Sequence, residues 1–172
     1  VWGLIYIFPK EKTRKLFLTP LAIFIIVSLT FLTWQQCGYW KNSITVFRHA
    51  LEVTKDNYLA HNNLGAALAA TGKSEEALIH YQAAVEINPT HETSLINLGT
   101  ALASQDKHEE AKSLYLQVIK INPRSIHAHF NLANLLVKQG KITEAENHYL
   151  TTIKINPQHD KAHYNLAELL IQ

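Results

Sequence analysis

Asn63, Asn97, Asn131 and Asn165 recur at a fixed interval of 34 residues. A primary amide offers both a donor and an acceptor, the combination that reads a peptide backbone whatever its side chains. The other reactive side chains point to less. Ten histidines raise the question of metal binding. His61, His129 and His163 are copies separated by whole multiples of 34 residues, as are His80 and His148. That spacing holds copies too far apart to share one ion at ligand distances of about 2 Å. His127 and His129 lie two apart, on different faces if helical. No metal is expected, and no cofactor. Cys37 is the one cysteine, which excludes an intrachain disulfide. No glycine-rich phosphate loop, Ser-His-Asp set or paired-carboxylate site stands out, so no catalytic residue is assigned. The net charge of +2 is not gathered into a basic stripe, which argues against nucleic acid.

The asparagines belong to a larger periodicity. Asn88-Pro89, Asn122-Pro123 and Asn156-Pro157 are also 34 residues apart. Leu64-Gly65, Leu98-Gly99, Leu132-Ala133 and Leu166-Ala167 align, as do Ala77, Ala111 and Ala145, then Tyr81, Tyr115 and Tyr149. A period of this length marks a repeat architecture. Within a unit, His129, Leu132, Ala133 and Leu136 fall on one helical stripe, and Ile142, Ala145, Tyr149 and Ile153 make a second. Gly140 separates the two helices, and Pro157 stops the second because proline disfavours helical backbone in the residue before it. One unit cannot bury both stripes, so stacking must supply the missing partner. Leu166, Leu169 and Leu170, on a final first helix, are expected to lack cover. Glu75-Glu76 and Glu109-Glu110 open second helices, where acidic side chains complement the helix dipole.

This pattern resembles the tetratricopeptide repeat (TPR), a pair of antiparallel helices on a 34-residue period. The resemblance implies an all-α, right-handed solenoid with units at 58–91, 92–125 and 126–159. The first helix of a fourth would occupy 160–172. A junction with a degenerate repeat helix fills 35–57. The aromatic usual near the start of the first helix is replaced by His61, Leu95, His129 and His163, and the second glycine becomes Ala133 and Ala167. Neither change is expected to disturb packing.

The front of the chain follows different rules. Residues 16–34 carry no charge and are dominated by Leu, Ile, Phe, Val and Ala. These 19 residues would span roughly 28 Å as a helix, close to a bilayer core. A transmembrane helix is expected, with Pro20 in its first turn and Trp34, Tyr39 and Trp40 as interfacial anchors. Residues 1–8 read as the end of a preceding span. Residues 9–15, with Lys10, Lys12, Arg14 and Lys15, read as a basic cytoplasmic loop. The absence of methionine suggests a piece of a longer protein, a cleaved signal peptide being the competing explanation. The positive flank places the repeats outside the cytoplasm: in periplasm, cell exterior or ER lumen.

The joint from Trp34 to Ser43, followed by Phe47-Arg48-His49-Ala50-Leu51 and by Asn57 to Gly65, is similar to that of transmembrane and TPR-containing proteins of glycosyltransferase-like type. The resemblance implies a parent with sugar-transfer chemistry in spans before Val1 and a non-catalytic repeat arm here. Two functions fit. The repeats recruit protein substrates to a membrane glycosyltransferase, or they form a non-enzymatic scaffold at the outer membrane face.

At 100° per residue the four asparagines point away from the buried stripe, onto a small, polar face that includes Thr100, Asn134 and Lys138. In solenoids of this type the first helices line the concave surface. Rungs about 10 Å apart would match about three residues of extended peptide. Asn63, Asn97, Asn131, Asn165, Thr100, Asn134 and Lys138 are thus the candidate peptide-binding residues. A similar ladder holds protein substrates in the repeats of the soluble O-GlcNAc transferase, which the resemblance extends to this chain.

Overall fold

The computed structural model describes the backbone of residues 11–39 and 42–171, and side chains over 18–34 and 42–171. The expectations for residues 1–8, for Lys10, and for the side chains of Cys37, Tyr39 and Trp40 lie outside the described residues. The described chain is all α-helix in two compact units, Val1–Val46 and Phe47–Gln172.

In the first unit, α1 runs Glu11–Tyr39. It begins before residue 16 and ends after residue 34, so Glu11 to Lys15, read from sequence as part of a loop, are helical. Lysine, arginine and glutamine are good helix formers, and nothing in such a sequence obliges a helix to stop where its apolar stretch does. Among the described residues no helix is long and apolar enough to cross a membrane. The described side chains of α1, residues 18–34, fall short of the full 16–34 stretch. Those from Leu21 to Trp34 include Ile23, Phe24, Ile26, Val27, Leu29 and Phe31, all exposed. The hydroxyls of Thr30 and Thr33 donate to the carbonyls of Ile26 and Leu29, each at 2.7 Å, so both are satisfied within the helix. A short helix, α2, follows at Ser43–Val53.

The second unit is a stack of helix pairs. The first pair is α3 (Tyr58–Ala70) and α4 (Ser74–Ile87), the second α5 (Glu92–Ser104) and α6 (His108–Ile121), and the third α7 (Ile126–Lys138) and α8 (Ile142–Ile155). The helix α9 (Asp160–Ile171) follows. Each helix packs on the next in the chain, and the first helices also touch one another, α3 with α5 and α5 with α7.

The stripes fold as their spacing dictates. His129, Leu132, Ala133 and Leu136 are all buried, as are Ala145 and Tyr149. Ile142 differs, being 41% exposed at the first residue of α8. Leu95, Val118 and Ala128 form a core cluster ringed by Val85, Ile96, Leu114 and Ile119, and so join α4, α5, α6 and α7. That cluster crosses the boundary between pairs, as stacking requires. On α9, Leu169 is buried, Leu166 half-buried, and Leu170 exposed. The expectation of missing cover therefore holds for Leu170 and fails for Leu169.

The turns recur with the period. After α3, Lys73 N–H donates to Leu68 O at 3.0 Å and Gly72 N–H to Ala69 O at 3.0 Å, a Schellman cap with Gly72 at φ 79°. The same bond runs from Lys107 to Leu102 and from Lys141 to Leu136. Asp106 occupies the glycine position of the middle pair, at φ 61°. At each pair's end the Asn-Pro step is extended, and the asparagine side chain accepts from the amide two residues on: Thr90, Arg124 and Gln158.

Candidate functional site

The four asparagines lie on successive first helices, but they are not equivalent in their surroundings. Asn63 is exposed, whereas Asn97, Asn131 and Asn165 are half-buried and each reaches back to the preceding helix pair. Asn165 Nδ2 donates to Asn134 Oδ1 at 2.8 Å, and Asn131 Nδ2 to Thr100 Oγ1 at 3.4 Å. Thr100 and Asn134 occupy one repeat position, whose copy in the first pair is Ala66. With no acceptor there, Asn97 Nδ2 bonds Asn62 Oδ1 at 2.9 Å instead.

The same position also receives the periodic tyrosine of its own pair. Tyr149 OH donates to Asn134 Oδ1 at 2.6 Å, and the hydroxyls of Tyr115 and Thr100 lie 3.2 Å apart. Thr100 in turn donates to Ile96 O at 2.8 Å. The expected row of solvent-facing amides is therefore also a row of bonds between repeats. A primary amide offers two donor hydrogens and an acceptor oxygen, so one donated bond leaves capacity for a ligand. Burial raises the pKa of Tyr81, Tyr115 and Tyr149.

Along this face a depression opens at each step between pairs. One of about 180 Å³ is walled by Ala69, Ser74, Ala77, Tyr81, Asn97, Thr100, Ala101 and Ser104. A second, about 220 Å³, is walled by Thr100, Ala103, Ser104, Tyr115, Asn131, Asn134, Leu135 and Lys138. A third, about 500 Å³, is walled by Asn134, Val137, Lys138, Tyr149, Asn165, Glu168 and Leu169. Six of the seven candidate residues, all but Asn63, wall these depressions. The walls are otherwise neutral, Lys138 and Glu168 being the charged side chains in them.

Two contacts escaped the sequence reading. His61 Nδ1 lies 3.1 Å from His80 Nδ1, and His129 Nδ1 lies 2.9 Å from His148 Nδ1. The partners sit within one repeat, 19 residues apart. That offset, shared by both pairs, was the available signal. Burial lowers the pKa of His61, and it is the largest of the causes lowering His80 and His148. The neighbouring His61 and Arg48 lower His80 further against Glu76, and His129 and Lys112 lower His148 further against Glu144. Among the described residues no group of three metal-ligating side chains is gathered. The acidic residues opening the second helices do more than face a dipole: Glu75 accepts from Gln105 at 3.0 Å and Glu109 from Gln139 at 2.9 Å, across successive repeats.

Comparison with known proteins agrees with this geometry. A tetratricopeptide repeat family model matches residues 56–124, another matches 114–147, and a TPR repeat model matches 133–172. No curated protein matches the chain in sequence. Among solved structures the chain is similar to the crystal structure of MamA, with a TM-score of 0.68 and 20% identity over 78% of this chain and 79% of that one. It is similar to the first TPR of Spaghetti (RPAP3) bound to HSP90 peptide SRMEEVD, with a TM-score of 0.64 and 19% identity over 69% and 94%. The Arabidopsis OM64 TPR domain is also similar, with a TM-score of 0.62 and 16% identity over 65% and 93%. Residues 56–172 of this chain are tetratricopeptide repeats.

Proposed function

We propose that the repeats bind an extended polypeptide segment, or an extended part of a partner protein, along the face of their first helices. The observation that carries this reading is the depression recurring at each inter-repeat step, walled by the amides and hydroxyls of Asn97, Thr100, Asn131, Asn134 and Asn165. A regular row of polar groups suits a ligand whose own polar groups repeat, as a peptide backbone does. A similar structure is bound to an HSP90 peptide, which shows what the fold can accommodate. The walls here are mostly neutral, which favours sequence-tolerant binding over recognition of a charged motif.

The same reading extends to the front of the chain. α1 anchors the repeats to a bilayer, supported by its exposed apolar side chains and its internally satisfied hydroxyls. The repeats then serve as the substrate-recruiting arm of a glycosyltransferase-like parent, on the extracytoplasmic side, while catalysis belongs to residues outside this segment. A non-enzymatic scaffold at the same membrane face is the second reading, and the two differ in whether sugar transfer depends on the repeats.

Binding is tested by measuring capture of a library of unstructured peptides by the full chain and by the Asn97→Ala/Asn131→Ala variant, with helical content followed by circular dichroism. Loss of capture with helicity retained supports the groove. Unchanged capture removes it. Flotation of the chain with liposomes tests the anchor independently, since a chain that stays at the bottom of the gradient has none.

A further inference from the structure

The two histidine pairs have a property that neither the groove nor the packing uses. In each, two Nδ1 atoms lie close enough that a single hydrogen fits between them. His129 fixes the arrangement in its pair. Its Nε2 lies 3.1 Å from Pro123 O and donates there, which leaves Nδ1 as the acceptor and assigns the shared hydrogen to His148 Nδ1. A first added proton can go to His148 Nε2 and leave this bond in place. A second must go to His129 Nδ1, where two N–H groups would then face each other between two cations. One ring has to swing out, and His129 is 6% exposed between α7 and α8.

We infer that His61–His80 and His129–His148 are acid-sensitive latches that hold α3 to α4 and α7 to α8 near neutral pH and release them on acidification. The middle repeat supplies the contrast. Leu95 and Leu114 stand at the equivalent positions, where both belong to the apolar core and carry no titratable group. The charged groups around the pairs do not remove the effect: Arg48 opposes Glu76 beside His80, and Lys112 opposes Glu144 beside His148.

The sign follows from linkage. With their folded values below the ordinary 6.5, His61, His80 and His148 bind fewer protons folded than unfolded. Stability therefore falls as pH drops below about 6.5, and stops falling once the folded values are passed. Two other histidines serve as helix caps. His91 Nδ1 accepts from Ser94 N–H and His159 Nδ1 from Ala162 N–H, at the starts of α5 and α9 and outside the helices that the pairs join.

The test is hydrogen exchange of the full chain, read by mass spectrometry between pH 7.5 and 5 and corrected for intrinsic rates. It is compared with a variant carrying His61→Leu, His80→Leu, His129→Leu and His148→Leu, which copies the middle repeat. The expected result is that opening of α3, α4, α7 and α8 grows by up to about tenfold per pH unit for each proton taken up. The variant should lose this growth. Equal pH dependence in the two proteins overturns the inference. Should the variant fail to fold, His129→Leu/His148→Leu alone serves. It must abolish the response in α7 and α8 while α3 and α4 keep theirs, and a response that persists in α7 and α8 overturns the inference equally. This readout reports helix opening and does not depend on peptide binding.

Discussion

Asn165 Nδ2 and Tyr149 OH converge on one acceptor, the side-chain oxygen of Asn134, at 2.8 and 2.6 Å. The amide thereby ties the second helix of its own repeat and the first helix of the next to α7. Asn134→Ala leaves the part-buried Tyr149 hydroxyl without its acceptor and Asn165 Nδ2 with only its longer bond to Tyr149 OH at 3.3 Å, and leaving a part-buried polar group unpaired costs about 1–3 kcal/mol. Chemical denaturation should show that loss. A double-mutant cycle with Tyr149→Phe should return a coupling of about 0.5–1.5 kcal/mol, and additive effects would mean the bond carries no energy.

Gly65 is held by the ring opposite it. A Cβ at this position would stand 2.7 Å from Tyr81 Cε1 and 3.1 Å from the carbonyl oxygen of Ala77. At Gly99 the three nearest atoms all belong to the Tyr115 side chain, which can shift. Gly65→Ala should therefore destabilise by about 1–3 kcal/mol despite its better helix propensity. Gly99→Ala should cost less, as the buried Ala133 of the third repeat suggests. Thermal melts of the two variants side by side decide the order.

Asp106 sits at φ 61° where its counterparts are Gly72 and Gly140, at 79° and 71°. The left-handed region costs a residue with a Cβ about 1–2 kcal/mol, somewhat less for aspartate. Asp106→Gly should raise stability by about 0.5–1 kcal/mol once glycine's greater unfolded-state entropy is subtracted. A lowered denaturation midpoint would show that the Asp106 contact with His108 at 3.7 Å matters more than the backbone.

Burial raises the pKa of Tyr81, Tyr115 and Tyr149 above the ordinary 10.0. Folded chains then hold more phenolic protons than unfolded ones just above pH 10, so stability must fall as pH climbs through that range. Tyrosinate absorbance of the native chain should rise later than that of the chain in denaturant, and Tyr115→Phe should remove part of the lag. Coincident titrations would show that these rings are open to solvent.

The repeat is written in the spacing of the residues along the chain. A fixed 34-residue spacing of Leu, Gly, Ala, Tyr and Asn-Pro can be satisfied by stacked helix pairs because each position has a local geometric duty. The alanines and glycines sit where helices meet, the tyrosines fill the gap, and the prolines end second helices. The candidate face was legible for the same reason, since helical periodicity alone separates Asn131 from Leu132.

What those side chains touch depends on how the helices stack. Asn97, Asn131 and Asn165 bond to the preceding repeat, and whether the acceptor is Thr100, Asn134 or Asn62 depends on rotamers and on the stagger of stacked helices. The histidine pairs were hidden likewise, because periodicity compares a residue with its copies whereas contact joins residues on different helices. His61 meets His80 only when α3 and α4 fold back on each other at a particular register, and that register is set by packing against neighbours rather than by either helix alone.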